Sequence, residues 1–121
     1  MKTVMIVDDA GFTRSILRTI IESLGFTVVT EAKSGEEAIM LYRMYRPDLI
    51  TMDISMPGMD GLAALEKIME IDQQAKVIIC TARGQKDLIV RAISVGAIDY
   101  VVKPLQRDRL ELSIQKIATR C

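Results

Sequence analysis

Five short apolar runs, separated by longer segments of helical periodicity, are the feature that most constrains the fold of this chain. The runs cover residues 4–7, 28–30, 49–52, 77–80 and 100–102. They lack the alternation of apolar and polar residues found in half-exposed strands, and continuous apolar runs are typical of parallel strands covered on both faces. Five strand–helix units in 121 residues therefore predict one (βα)5 domain, residues 1–121, with helices on both faces of a parallel sheet.

Apolar stripes at helical spacing mark the segments between the runs. The stripes are Ile16, Leu17, Ile20, Ile21 and Leu24; Ala38, Ile39, Leu41, Tyr42 and Tyr45; Leu62, Leu65, Ile68 and Met69; and Leu110, Ile114 and Ile117. Ser34 followed by Glu37 predicts a capping box that opens the second helix. Gly25 and Gly96 predict the ends of the first and fourth helices. Asp60 is placed to cap the third helix, with Gly61 as a turn residue.

Composition excludes several classes of function. The chain has no histidine, so histidine general bases, Ser-His-Asp triads and histidine zinc sites are excluded. Zero net charge and only five aromatic side chains (three Tyr, two Phe) argue against direct binding of nucleic acid. Cys80 lies within an apolar run and is expected in the core, and with Cys121 it gives no disulfide framework. Without a signal peptide or a membrane span, we expect a cytoplasmic protein.

Residues that carry chemistry follow four of the five apolar runs. Asp8 and Asp9 follow the first, Asp53 the third, Thr81 the fourth and Lys103 the fifth. Each of them alone has a simpler interpretation, such as a turn-forming aspartate or a solvated loop lysine. Because parallel strands end at one edge of their sheet, where ligands of such sheets bind, we expect these side chains to form one site.

The chemistry of these side chains favours phosphoryl transfer. Three carboxylates in one cluster cannot all stay ionised without a cation, and Mg²⁺, with Mn²⁺ as the alternative, is the hard ion that prefers such oxygen ligands. The ammonium of Lys103 and the hydroxyl of Thr81 suit a phosphoryl group that arrives at a carboxylate nucleophile. The product of that transfer is an acyl phosphate.

Four motifs resemble, in order and spacing, those of the receiver domain of bacterial two-component response regulators. They are VDD at 7–9, MDISMPGMDG at 52–61, TA at 81–82 and DYVVKP at 99–104. The resemblance covers essentially the whole chain. It implies a doubly wound, flavodoxin-like three-layer sandwich with strand order 2-1-3-4-5, and a signalling switch that a histidine kinase phosphorylates on one aspartate.

The same resemblance implies the acceptor and its metal site. Asp53 matches the phosphoacceptor and is also a metal ligand. Asp9 matches a direct ligand, Asp8 the acid that holds metal-bound water, and Ser55 contributes its main-chain carbonyl. Ser55 and Arg83 occupy positions that vary within the family and tune the lifetime of the acyl phosphate.

Further roles follow for the phosphoryl-binding and switch residues. Lys103 matches the lysine that pairs with the phosphoryl group, and a cis peptide bond is implied before Pro104. Thr81 matches the switch hydroxyl, and Tyr100 the aromatic residue whose ring turns inward when that hydroxyl moves. Ala82 fits the small residue that leaves the phosphoryl site open.

Three stretches, VDDAGFTR, ITMDISMPGMDG and TARGQ, most resemble the stand-alone chemotaxis regulators of this family. Because no output domain follows residue 121, we expect a monomer that acts through protein contacts alone, without binding membranes. The expected partners are a CheA-like histidine kinase and a flagellar motor switch protein or phosphatase of the chemotaxis system. The partner-binding face is expected on helix four, strand five and helix five. Its residues are Gln85, Lys86, Arg91, Tyr100, Gln106, Arg107 and Arg109, which make it locally basic.

Two alternatives remain open. In the first, the chain is the receiver of a longer regulator with a DNA-binding output domain, and phosphorylation promotes dimerisation. In the second, the acids serve a metal-dependent phosphatase. No second catalytic carboxylate or cap insertion is evident in the sequence, so we expect no enzyme activity beyond phosphorylation and dephosphorylation of Asp53 itself.

Overall fold

The computed structural model describes residues 3–56 and 61–118, and strands alternate with helices throughout this part of the chain. In chain order the elements are β1 (Thr3–Val7), α1 (Gly11–Ser23), β2 (Thr27–Ala32), α2 (Gly35–Tyr45), β3 (Leu49–Asp53), α3 (Gly61–Ile71), β4 (Val77–Thr81), α4 (Lys86–Val95), β5 (Asp99–Val102) and α5 (Arg107–Ala118). The strands extend one or two residues beyond most of the apolar runs. Asp53 and Thr81 are consequently the last residues of β3 and β4 rather than the first residues after them.

The five strands form one parallel sheet of order β2-β1-β3-β4-β5, which confirms the predicted topology. The register aligns the carboxyl ends of the central strands, since Val7 pairs with Met52 and Asp53 pairs with Cys80. The residues that follow β1 therefore lie beside the end of β3. This alignment brings the candidate site together at one edge of the sheet.

Alternate residues of each central strand enter two separate hydrophobic cores. One core packs the sheet against α2, α3 and α4, and includes Met5 and Ile50. The other packs the sheet against α1 and α5, and includes Ile6 and Ile78. Burial on both faces explains why the strands are continuously apolar. Cys80 is buried, as predicted for a core residue.

Two residues of the predicted stripes lie outside these cores. Ile16 is exposed because, at about 100° of rotation per residue, it projects about 120° from the direction midway between the buried Leu17 and Ile21. Tyr45 is exposed because it is the last residue of α2, where the chain leaves the helix through a left-handed Arg46. None of the described helices is both long enough and apolar enough to cross a membrane.

The predicted helix boundaries are confirmed where the structure describes them. The Ser34 hydroxyl accepts a hydrogen bond from Glu37 N–H at 3.1 Å, while the Glu37 carboxylate accepts one from Lys33 N–H at 2.9 Å. Gly96 ends α4 with a φ of 140°, a conformation that strongly favours glycine. The predicted cap Asp60 lies outside the described residues.

Gly61 corrects one prediction, because it is the first residue of α3 rather than a turn residue. A Cβ atom at this position would lie 1.9 Å from the carbonyl oxygen of Asp53 and 2.5 Å from the Cα atom of Ile54. Both contacts are with backbone and cannot be relieved by a side-chain rotation. The glycine is therefore required because α3 begins in direct contact with the end of β3, which carries Asp53.

Candidate functional site

Three carboxylates meet at the carboxyl edge of the sheet, as predicted. Ligand oxygens of Asp8, Asp9 and Asp53 all lie within 4.8 Å of one another. Asp8 and Asp53 are buried, whereas Asp9 is exposed. Two of the three carboxylates are thus enclosed by protein, and a ligand can reach the cluster from the solvent on the side of Asp9.

The loops that follow the strands orient the two buried carboxylates. Asp8 Oδ1 accepts a hydrogen bond from Ala10 N–H at 2.9 Å, and Asp53 Oδ1 accepts one from Ser55 N–H at 2.9 Å. Asp8 therefore also forms a turn, as its simpler interpretation predicted, and its role toward a metal stays a prediction. In each residue the other oxygen, Oδ2, is turned toward the lysine from β5.

Lys103 is the cation of the cluster. Its Nζ lies 2.9 Å from Asp8 Oδ2 and 3.4 Å from Asp53 Oδ2. Lys103 N–H donates to the Thr81 carbonyl at 2.7 Å, which fixes the start of the loop, and the Lys103–Pro104 peptide bond is cis as the resemblance implied. The ammonium of Lys103, just after β5, thus joins Asp8, just after β1, to Asp53 at the end of β3.

Burial and charge perturb two of these groups. Burial disfavours the ionised form of Asp53 and raises its pKa, although Ser55 N–H and the Lys103 ammonium act in the opposite direction. Burial also disfavours the Lys103 ammonium, but the hydrogen bond to Asp8 and the negative charges of Asp53 and Asp8 outweigh it and raise the pKa of Lys103. The ammonium therefore stays charged and offsets part of the negative charge.

The donor set fits a hard divalent cation. When ionised, the three carboxylates exceed the charge of Lys103 by two negative charges, which one divalent ion balances. Oxygen donors that include one or two carboxylates, with space for water, are the ligands that Mg²⁺ takes in proteins. Asp8, Asp9 and Asp53 therefore suit Mg²⁺ or Mn²⁺. The Ser55 carbonyl stays a predicted ligand, and the structure places only the N–H of that residue against Asp53.

Thr81 contributes a hydroxyl at the same edge. It is fully buried, and its Oγ1 has no hydrogen-bond partner among the residues that the structure describes. Buried hydroxyls are nearly always paired, so this group is available to a ligand. Ala82 and Arg83 follow it and are exposed. Their predicted roles in access and in acyl-phosphate lifetime stay predictions.

Tyr100 lies on the edge strand β5 and is directed outward. Its residue is 39% exposed, and the Arg109 guanidinium carbon lies 5.9 Å from its ring centroid. The predicted position at the sheet edge is confirmed, but the side chain is exposed rather than partly buried. Its role as a switch stays a prediction.

Arg14 was not identified from the sequence as part of the site. Its Nη1 donates to the Asp8 carbonyl at 2.6 Å, and its Nε donates to Glu31 at 3.0 Å. The guanidinium thus ties α1 to the end of β1 and to β2. The sequence offered one signal for this contact, which is that Arg14 lies in the first turn of the helix that follows Asp8. Side chains of a helix tilt toward its N-terminus, so Arg14 can reach the end of β1.

The neighbouring buried thiol takes no part in this chemistry. Burial raises the pKa of Cys80 to about 12, so the thiol is not a nucleophile at neutral pH.

Comparison with known proteins agrees with this site. Residues 4–115 match the response regulator receiver domain, and the chain belongs to this family. It is CheY-like. Chemotaxis protein CheY of Bacillus subtilis is 48% identical over 113 residues, which cover 93% of this chain and 94% of that protein. Chemotaxis protein CheY of Thermotoga maritima is 45% identical over 117 residues, which cover 97% and 98% of the two chains.

A solved structure shows the same fold. A chain of the CheX–CheY–BeF3–Mg²⁺ complex from Borrelia burgdorferi superimposes with a TM-score of 0.92 at 38% identity, covering 96% of this chain and 88% of that one. Family, fold and acidic cluster thus agree on a receiver domain of two-component signalling.

Proposed function

We propose that the protein is a phosphorylation-activated switch whose Asp53 accepts a phosphoryl group from a histidine kinase in a Mg²⁺-dependent reaction. One observation carries this proposal. Asp53 lies in a cluster with two further carboxylates and an ammonium, beside a buried hydroxyl that is free to bind a ligand.

In the proposed transfer, an Asp53 carboxylate oxygen attacks the phosphorus of the kinase phosphohistidine. The new O–P bond forms while the P–N bond breaks, and the imidazole nitrogen takes up a proton from solvent. Lys103 Nζ, 3.4 Å from Asp53 Oδ2, is placed to donate to a phosphoryl oxygen, and the Thr81 hydroxyl is placed to donate to another. The Asp53 loop supports the acceptor through Ser55 N–H.

The residues that would hold Mg²⁺ are Asp8, Asp9, Asp53 and the Ser55 carbonyl. When bound, Mg²⁺ supplies positive charge that offsets both the carboxylates and the transferring oxygens. The chain's own contribution is to fix these ligands on two adjacent strand ends, with Arg14 holding the main chain of Asp8.

The output surface proposed on α4, β5 and α5 has an apolar component that composition did not indicate. The exposed apolar residues on these three elements are Val90, Ile93, Val102 and Leu112, in addition to Tyr100. Arg109 adds less positive charge than predicted, because it pairs with Asp99. An amphipathic segment with acidic residues fits this surface better than a purely acidic one.

We further propose a chemotaxis role in the cytoplasm, as a monomer, with a CheA-like kinase upstream and a motor switch protein or phosphatase downstream. Similarity to proteins named CheY, and to a chain of a CheX–CheY complex, supports this role. The receiver of a longer DNA-binding regulator is the alternative, and dimerisation on phosphorylation distinguishes it. We propose no multiple-turnover phosphatase activity.

The first test is the mass of the intact chain after incubation with acetyl phosphate, with and without Mg²⁺. We expect the gain of one phosphoryl group only with Mg²⁺, and no gain in Asp53→Asn. Absence of any gain, or an equal gain in Asp53→Asn, would refute the assignment of the acceptor.

Three further measurements distinguish the alternatives. Phosphorylation-dependent capture by a motor switch peptide supports the chemotaxis role. Sedimentation that shows a phosphorylation-dependent dimer without such capture supports the longer regulator. Sustained release of phosphate from p-nitrophenyl phosphate would contradict the switch and favour an enzyme.

A further inference from the structure

Asp99, the first residue of β5, is the centre of a small polar network between β5 and α5. Its carboxylate accepts hydrogen bonds from Ser113 Oγ and from Tyr100 N–H, both at 2.8 Å. Arg109 Nη2 lies 3.4 Å and Lys116 Nζ lies 3.8 Å from it. Burial disfavours the Asp99 carboxylate, but these donors outweigh it and lower the pKa of Asp99. The charge that Arg109 faces is therefore permanent at neutral pH.

Arg109 connects this network to the aromatic residue of the predicted switch. Its Nη2 donates to the Tyr100 carbonyl at 2.6 Å, and its guanidinium carbon lies 5.9 Å from the ring centroid. Its Nη1 is buried without a hydrogen-bond partner in the part of the chain that the structure describes. The Tyr100 carbonyl and the Asp99 carboxylate thus hold the guanidinium against β5, whereas the third contact is with the ring.

We propose that Asp99 and Arg109 form a latch that retains the Tyr100 ring in its outward position and so limits activation before phosphorylation. This inference rests on the proposed function, because it concerns the same switch. The latch residues are the carboxylate of Asp99 and the guanidinium of Arg109, and Tyr100 is the group that they hold.

The direction of the effect follows from the geometry. Arg109 bonds to the carbonyl of Tyr100 and to Asp99, so it stays in place when the ring rotates inward. Only the outward ring keeps the cation–π contact, and such contacts at exposed sites favour one state about two- to fivefold. If beryllofluoride binding at Asp53 requires the inward ring, the contact that favours the outward ring weakens that binding by the same factor of about two to five. This follows because the coupling between two sites is reciprocal.

The experiment compares wild type with Arg109→Ala in two measurements. The first is the ring ¹³C–¹H NMR signal of Tyr100 in the unmodified chain, assigned with Tyr100→Phe. The second is the beryllofluoride concentration that half-saturates the protein in excess Mg²⁺. In Arg109→Ala we expect the inward ring population to rise, and the half-saturation concentration to fall, by about two- to fivefold.

Matched variants separate the latch from a general structural effect. Arg43→Ala removes an exposed arginine from α2, which packs near β2 at the edge of the sheet opposite β5, and is expected to change neither measurement. Asp99→Asn leaves Arg109 without its charged partner and is expected to act in the same direction as Arg109→Ala. In a Tyr100→Ala background, Arg109→Ala is expected to leave the half-saturation concentration unchanged, since no ring remains to be held.

An unchanged Tyr100 signal in Arg109→Ala would overturn the latch, as would an equal shift of half-saturation in the Tyr100→Ala background. The NMR signal is measured without phosphorylation or beryllofluoride. It therefore tests the latch even if the wild-type chain takes up neither, which would be a failure of the proposed function instead.

Discussion

Replacing Lys103 with methionine should destabilise the protein by exposing the repulsion within its acidic cluster. The Lys103 side chain is 27% exposed, whereas those of its partners Asp8 and Asp53 are 1% and 6% exposed. The substitution keeps an unbranched side chain, one atom shorter than that of lysine, and removes the ammonium. Two buried carboxylates would then lose the cation that both of them contact.

The magnitude follows from this burial. Removing one partner of a buried ion pair costs about 3–5 kcal/mol, and the partial exposure of Lys103 reduces our expectation to about 2–4 kcal/mol at pH 7 without Mg²⁺. Lys67 gives a matched control, because it also lies 3.4 Å from a carboxylate, that of Glu70, but is 54% exposed. Lys67→Met should cost no more than about 1 kcal/mol.

The deficit should depend on pH and on metal. The pKa of Asp53 is already raised, and losing Lys103 should raise it further, so protonation relieves the repulsion as the pH falls through that value. In the wild type, the folded protein raises the pKa of Lys103. The contribution of Lys103 to the stability of the fold is therefore fully present at a pH below its pKa in the unfolded chain. It is lost as the pH rises through its pKa in the folded protein. Mg²⁺ should reduce the deficit because it supplies the missing positive charge.

Urea unfolding, followed by far-ultraviolet circular dichroism in EDTA and then in Mg²⁺, measures all of these effects. Adding Asp53→Asn to Lys103→Met should recover part of the lost free energy of unfolding, because one of the repelling charges is gone. The reasoning is refuted if Lys103→Met is no less stable than Lys67→Met, or if its deficit changes with neither pH nor Mg²⁺.

Three further predictions concern Gly61, two buried threonines and Asp99. Gly61→Ala should cost about 3–5 kcal/mol in urea unfolding, because the new methyl group meets the Asp53 backbone, and wild-type stability would contradict the close approach. Thr51→Val should stabilise by about 1 kcal/mol, since its buried hydroxyl has no partner among the described residues. Thr81→Val should not lower stability either, because its buried hydroxyl also has no partner among the described residues. Of these two variants, only Thr81→Val should weaken beryllofluoride binding. Equal binding by Thr51→Val and Thr81→Val would show that Thr81 is not part of the site. Asp99→Asn should cost about 1–2 kcal/mol at pH 7. Because the pKa of Asp99 is lowered in the folded protein, its contribution to stability is present at a pH above its pKa in the unfolded chain. That contribution is lost as the pH falls through the pKa of Asp99 in the folded protein. The unfolding free energies of this variant and of the wild type should therefore converge in acid.

The fold and the composition of the site could be predicted from sequence because both depend on local patterns. Continuous apolar runs identify strands buried on two faces, and the helical stripes identify their covering layers. Since parallel strands share one carboxyl edge, Asp8, Asp53 and Lys103 could be placed together although 95 positions separate the first from the last. The strand order and the roles of individual residues came from resemblance to a family.

Tertiary structure alone decided which groups each functional side chain contacts. Glu31 binds Arg14, Asp99 binds Arg109, and Gly61 faces the backbone of Asp53, and no spacing rule predicts these pairs. They depend on how far each helix is shifted and rotated over the sheet. Packing of the whole core determines those shifts, whereas hydrophobic periodicity specifies only which face of a helix is buried.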